Sequence, residues 1–243
     1  MSIRSKITLL VGLFSIGAFA SPIELSVTYR DFEASHSDFE KQILGLQTGM
    51  VSTDLGEDGT PVLVDGKGTI TSASTFNDWF HNTTASTVYE GSIVADQTNG
   101  IITFRDNSFF PLDQYPHQLN NTHNYLFTMH MENTFTYQGG ETFTFTGDDD
   151  VWVFINGKLA MDLGGVHAAA NGSINLDAAA SKLGITKGND YSFNLFFAER
   201  HTTESNLVFQ TSIKLESVPE PSMISLLGLS IFGLLGFAVR RRK

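Results

Sequence analysis

Three consecutive carboxylates, Asp148, Asp149 and Asp150, stand at the entrance to an apolar run, Val151-Trp152-Val153-Phe154-Ile155. At ~5 Å and an effective dielectric near ~20, each adjacent pair repels by roughly 3 kcal/mol, and fully solvated by under ~1 kcal/mol. A partly buried acidic cap therefore needs compensation, which a hard cation bound by roughly six to eight oxygens supplies. A second reading stays open: a solvated acidic loop, or a brace that contributes only hydrogen bonds. Asp162 beside this triplet has the residue types of a glycosidase carboxylate pair, but that chemistry depends on a separation that spacing alone does not give. Glu199-Arg200-His201 follows another apolar run and could face the acidic turn as an acid/base pair; an internal ion pair bracing the loops is the expected use. His117, His123, His130, His167 and His201 are irregularly spaced, and no HExxH pattern occurs, so a zinc site is not expected. Trp79 could stack a sugar ring, whereas Trp152 belongs to the apolar run. Asp54 to Gly59 has the composition of a calcium loop without its spaced ligands and reads as a polar loop.

These residues sit in an acidic, cysteine-free chain. Fifteen Lys and Arg against 26 Asp and Glu give a net charge of −11, which argues against nucleic acid as a partner. The absence of cysteine excludes a disulfide scaffold, a thiolate metal site and a cysteine nucleophile. Twenty Phe and 22 Gly in 243 residues favour strands and turns over helices.

The elements that must hold the acidic turn are strands. Ile23, Leu25, Val27 and Tyr29 alternate with polar residues, the period of a half-buried strand. Tyr125 to Met131, Phe143 to Phe145, Tyr191 to Phe197 and Leu207 to Leu215 repeat the pattern. Val151 to Ile155 is apolar on both faces and predicts a central strand buried on both sides. Asn156-Gly157 then turns the chain into Lys158–Leu163, and Gly139-Gly140 marks a further turn. Short helices are expected over Phe39–Leu46, over Ser74–Phe80 with Ser74 as N-cap, and over Asp177–Leu183 closed by Gly184. The composition and spacing predict an all-β sandwich with loop decorations and a few short helices.

Both ends read as addresses. Arg4 and Lys6, the apolar run Ile7 to Phe19 and Ala18-Phe19-Ala20 make residues 1–20 a signal peptide. At the other end, Ser222 to Val239 is an 18-residue uncharged stretch followed by Arg240, Arg241, Arg242 and Lys243. That length marginally spans a bilayer, with the basic tail cytoplasmic. Val218-Pro219-Glu220-Pro221 precedes it, and the tripartite ending resembles the PEP-CTERM sorting signal of Gram-negative bacteria. The resemblance implies sorting by an exosortase, transient anchoring in the cytoplasmic membrane and export to the cell surface or extracellular matrix. A permanent single-span anchor is the alternative. Without the two ends, nine basic residues face 26 acids if Glu220 is kept, a net charge of −17.

The body, residues 21–217, is expected to be one domain. The run FTFTGDDDVWVFINGKLAMDLGGVH, with Phe196 to His201, Ser205-Asn206, Tyr29-Arg30-Asp31-Phe32, Ser37-Asp38-Phe39-Glu40, Phe109 to Asp113 and His123-Asn124-Tyr125, resembles the fibro-slime domain, a PA14-like module of extracellular proteins. The resemblance implies a PA14-like β-sandwich and a binding module, not an enzyme. In sugar-binding PA14 domains two successive aspartates joined by a cis peptide hold calcium. Counted back from the hairpin glycine, those positions fall on Asp148 and Asp149, with Asn206 as the third ligand. Asp150 stands where such domains often carry glycine. Asp150, Glu199, His201 and Trp79 are the further candidates for contact with an extracellular polysaccharide or other glycan. The implied function is calcium-dependent adhesion; a purely structural matrix protein and a carbohydrate hydrolase are the rival readings.

Overall fold

The computed structural model describes residues 21–115 and 123–217. The signal-like segment 1–20, the stretch 116–122 with His117, and residues 218–243 with their apolar run lie outside the described residues. Among the described residues no helix is long and apolar enough to cross a membrane.

The strands, in chain order, are β1 (Ser21–Phe32), β2 (Ser86–Thr98), β3 (Ile101–Asp106), β4 (Phe127–Thr136), β5 (Thr142–Asp148), β6 (Asp150–Ile155), β7 (Lys158–Leu163), β8 (Ala170–Asn175), β9 (Asp190–Glu199), β10 (Asn206–Thr211) and β11 (Glu216–Ser217). All pairings are antiparallel, and the path runs β7-β6-β9-β4-β1-β2-β3-β10-β5-β8, with β11 added beside β4. Its two ends, β7 and β8, come back together, so the sheet folds over itself as a sandwich. The all-β expectation holds.

Alternation explains the two faces. On β1, β4 and β9 the residues Val27, Tyr29, Met129, Met131, Leu195 and Phe197 point into the main core, where Phe143, Phe145 and Phe209 of the opposite layer meet them. The other face of β6 and β9 is also apolar: Trp152, Phe154, Phe196 and Ala198 pack against Met50, Val51, Ile70, Phe76, Trp79 and Phe80. The segment from Met50 to Phe80 thus forms a third layer over one end of the sheet. Every residue of β6 is buried as a result, as its doubly apolar pattern predicts. Asn156 (φ 53°) and Gly157 (φ 69°) form the two-residue turn into β7, both in the left-handed region that the Asn-Gly pair accommodates.

The helices depart from expectation in detail. No helix forms over Phe39–Leu46: Glu40 and Gly45 take positive φ, and the chain runs across the sheet end, with Gly45 N–H donating to Val166 O and Gln47 N–H to Gly164 O. Helix α1 (Ala73–Asn77) is capped by Ser72, not Ser74, because Ser72 and Thr75 complete a reciprocal capping box. Helix α2 (Leu176–Leu183) has Asn175 as N-cap and Gly184, at φ 67°, as its C-terminal stop.

His130 on β4 lies on the outer face, stacked on Phe196 at 4.3 Å, with Nε2 2.8 Å from Asn194 Oδ1. Desolvation lowers its pKa from 6.5 to about 4, against the hydrogen bond to Asn194. The unfolded chain therefore takes up this proton first as pH falls. The contribution of His130 is fully present above pH 6.5 and is lost progressively towards pH 4. His130→Gln should flatten this part of the profile: comparison of urea midpoints at neutral pH and near pH 5 should show a smaller acid loss in the variant than in the wild type.

Candidate functional site

The acidic turn joins β5 to β6, and the three carboxylates leave it in three directions. Asp148 lies at the end of β5, opposite Asn206 of β10. Its Oδ1 accepts the Asn206 N–H at 2.6 Å and its Oδ2 the Asn206 side-chain amide at 3.0 Å. Gly147 permits this approach, since a Cβ there would stand 2.5 Å from Asn206 O. The peptide bond between Asp148 and Asp149 is cis. Asp149 receives backbone donors only: His167 N–H to Oδ1 and Arg200 N–H to Oδ2, each at 3.0 Å. Burial pushes its carboxyl up to about 7, with Asp150 adding to the rise and Arg200 opposing it. Burial also raises Asp148, partly offset by Asn206.

Asp150 has a different fate. It is wholly buried, Gly165 N–H donates to its Oδ1 at 2.6 Å, and the Arg200 Nε and Nη2 both lie 2.6 Å from its Oδ2. The remaining Arg200 donor, Nη1, reaches Asp38 O and Thr69 O at 3.0 Å, and the guanidinium lies 4.7 Å from the centre of the Trp79 ring. Trp79 is itself fully buried, its Nε1–H donating to Asp38 Oδ2 at 3.2 Å. Two candidates for ligand contact are thereby corrected. Asp150 and Trp79 present nothing to a ligand, because the ion pair and the third layer consume them. The Glu199-Arg200-His201 run does brace the loops, through its middle residue.

Glu199 is buried beneath the turn, and its Oε2 has no hydrogen-bond donor among the described residues. Burial raises its pKa well above the ordinary value, and the charges of Asp149 and Asp148 add to that rise. Asp148, Asp149, His167, His201, Thr203, Glu204, Ala168 and Ile43 enclose a cavity of about 220 Å³. The structure therefore brings Asp148, Asp149 and His201 around one opening. Asn206 is bonded to Asp148 but lines a neighbouring cavity, and buried Glu199 feels the charges of both aspartates. Asp162, the partner required for a carboxylate pair, is committed elsewhere: it accepts from Trp152 Nε1–H at 3.0 Å and Gly49 N–H at 2.7 Å.

The backbone donor at His167 is absent from the sequence reading, and the internal ion pair expected of the Glu199-Arg200-His201 run finds a partner in Asp150 that the sequence did not name. The backbone donor at His167 and the counter-charge at Arg200 come from chain positions 18 and 51 residues from Asp149. Among the described residues no group of three His, Cys, Asp or Glu side chains is arranged to hold a metal. Any cation here would depend on the two aspartates together with amide, carbonyl or ligand oxygens. The Arg200–Asp150 pair makes its own prediction: Arg200→Gln, by stranding a buried carboxylate, should destabilise the fold by about 3–5 kcal/mol. Addition of Asp150→Asn should recover part of that loss, read as a coupling energy in a urea-denaturation double-mutant cycle.

The family model of the PA14 domain matches residues 68–226, and that of the PEP-CTERM protein-sorting motif matches residues 217–243. Protein psiQ of Dictyostelium discoideum is 41% identical over 190 residues, covering 70% of this chain and 19% of psiQ. Protein psiD of the same organism is 39% identical over 217 residues, covering 79% of this chain and 41% of psiD. The chain thus spans less than half the length of these relatives. The crystal structure of the PA14 domain of MpAFP antifreeze protein aligns over 90% of this chain and 99% of that one, at 10% identity and a TM-score of 0.39. The chain belongs to the PA14 domain family and carries a PEP-CTERM protein-sorting motif.

Proposed function

We propose that the protein is an exported carbohydrate-binding module of the cell surface or extracellular matrix, and that calcium seated at Asp148 and Asp149 takes part in binding. The observation that carries this reading is the cluster of buried carboxyl groups at the turn, each of which burial makes costly to ionise without a cation. Asp148, Asp149 and Glu199 lie together, Glu199 Oε2 lacks a donor, and the adjacent arginine is spent on Asp150. Such a group suits a hard cation, and the donor set fits: two carboxylates in the wall of a cavity, with the Asn206 side chain bonded to one of them. When bound, calcium would supply open coordination positions suited to vicinal sugar hydroxyls. The chain's own residues pre-position the carboxylates: His167 and Arg200 N–H groups orient Asp149, and Asn206 orients Asp148. Export rests on the sorting motif, with an exosortase as the processing partner. The PA14 sugar-binding domain of an RTX adhesin is among the solved structures that resemble this chain, at 8% identity and a TM-score of 0.39.

The rival reading is an architectural acidic turn in a matrix protein that binds no sugar. It draws on the fact that every oxygen of Asp148 and Asp149 already accepts a hydrogen bond. A carbohydrate hydrolase is disfavoured by the commitment of Asp162 to Trp152 and Gly49.

Two measurements separate these readings. Millimolar calcium should raise the melting temperature by mass action, and Asp149→Asn should abolish the rise; an unchanged wild-type melting curve speaks for the architectural turn. Single sugars should bind weakly, at about 0.1–1 mM, while an immobilised polysaccharide should retain the protein through many weak contacts. That retention should contain a component released by EDTA and absent from Asp148→Ala. Circular dichroism should show the β fold intact in the variant.

A further inference from the structure

A second cavity opens on the outer face of the sheet, at the opposite end of β6 from the acidic turn. On this face the pattern changes character. Near Asp150 it presents Trp152, Phe196 and Ala198 to the third layer, but farther along it presents Ser192 and Asn194 of β9, His130 and Glu132 of β4, and Arg30 of β1. The third layer does not pack onto these polar residues, and a groove of about 700 Å³ remains between them and its Asp54–Thr60 loop. A cavity of this size accommodates a small organic ligand.

Arg30 is the least satisfied group in its wall. It is 6% exposed; Nε donates to His81 O at 3.1 Å and Nη2 to Asn82 Oδ1 at 2.9 Å, while Nη1 is buried without an acceptor. A buried guanidinium nitrogen without an acceptor is costly unless something supplies one. The charge of Glu90 acts on Arg30, and the groove it lines carries further carboxylates. Glu132 is exposed on β4, and Asp58 is held ionised by Thr60 and His81, which bring its pKa to about 2. An anionic ligand would meet Glu57, Asp58 and Glu132 at the rim, and a cationic one would meet Arg30. A neutral group that both donates and accepts satisfies the two sets together, and the hydroxyl is that group. His130, kept neutral by desolvation, adds no charge.

We propose that this groove is a second binding site, for a neutral polyhydroxylated ligand such as a saccharide, in which Arg30 and Asn82 donate, Glu132 accepts and no metal ion takes part. The site is independent of the calcium-seated reading and stands on different residues. Together the two would make one domain able to hold two segments of polymer at once.

The test uses the full chain on immobilised dextran, galactan and alginate, in buffer with EDTA so that any calcium-seated contact is silent. The wild type should be retained on dextran or galactan. Glu132→Ala, an exposed substitution, should weaken that retention by about tenfold, and Asn82→Ala by a similar factor. Ser192→Trp should abolish it by filling the groove, with an unchanged melting temperature confirming that the fold survives. Asp149→Asn should leave this metal-independent fraction intact, so loss of the calcium-dependent fraction alone bears on the other site. Absence of retention on all three polymers in EDTA, or retention that persists in both Glu132→Ala and Ser192→Trp, would overturn the proposal. Retention confined to alginate would replace it with carboxylate recognition by Arg30.

Discussion

Two oppositely charged side chains, Arg200 and Asp150, meet at 2.6 Å with neither exposed to solvent, and much of the molecule is arranged around that contact. The pair joins the end of β9 to the start of β6. Through the other guanidinium nitrogen it also reaches the carbonyls of Asp38 and Thr69, and so holds two loops that have no strand of their own. Taking both ions out of water is expensive and is recovered only when their remaining donors and acceptors are matched. Here they are: Gly165 serves the second Asp150 oxygen, and Trp79 lies under the guanidinium. The consequence for the neighbouring turn is direct. With Arg200 paired to Asp150, Asp149 has backbone N–H groups as its hydrogen-bond donors and feels the guanidinium only at a distance, and burial makes its charge hard to hold.

The same contact helps to fasten the third layer. A sheet with one solvated face would expose Trp152, Phe154 and Phe196, a large apolar patch by the standards of a soluble surface. The segment Met50–Phe80 covers it, but that segment contains only one short helix and little paired backbone. Its docking is secured at points: Trp79 through Asp38, Thr71 N–H on Asp38 Oδ1, and Arg200 through Thr69. Gly164 lets the chain near Gln47 cross closely, since a Cβ there would stand 2.9 Å from Gln47 O. Polar contacts fix the position, and aromatic burial supplies the stabilisation.

How much of this was legible in the sequence follows from the range of the signals involved. Alternation in β1 and β4, the doubly apolar run of β6 and the Asn-Gly turn are local patterns, and each appeared where its period or turn chemistry placed it. The aspartate triplet was visible as a concentration of charge, but the division of labour among its members was not. That division depends on Arg200, 50 residues away from Asp150, and on which side of the strand each carboxylate leaves the turn. Trp79 was misread for a related reason: an aromatic ring has the same sequence signature whether it greets a sugar or fills a core. The absent helix at Phe39–Leu46 shows the converse failure. Apolar residues spaced for a helix were used in an extended crossing, leaving Ile43, Leu44 and Leu46 about half exposed.

The placement of the two tryptophans has a spectroscopic consequence. Trp79 and Trp152 are the chain's only two, their rings lie 6.3 Å apart, and both belong to the outer cluster and not to the main core. Intrinsic tryptophan emission therefore views a single interface, the one between the third layer and the sheet. Backbone circular dichroism, by contrast, is dominated by the strands. If the outer layer detaches before the sandwich melts, emission will shift to the red while the dichroism signal is still native. The two signals together thus divide the molecule along its own packing boundary, without any added label.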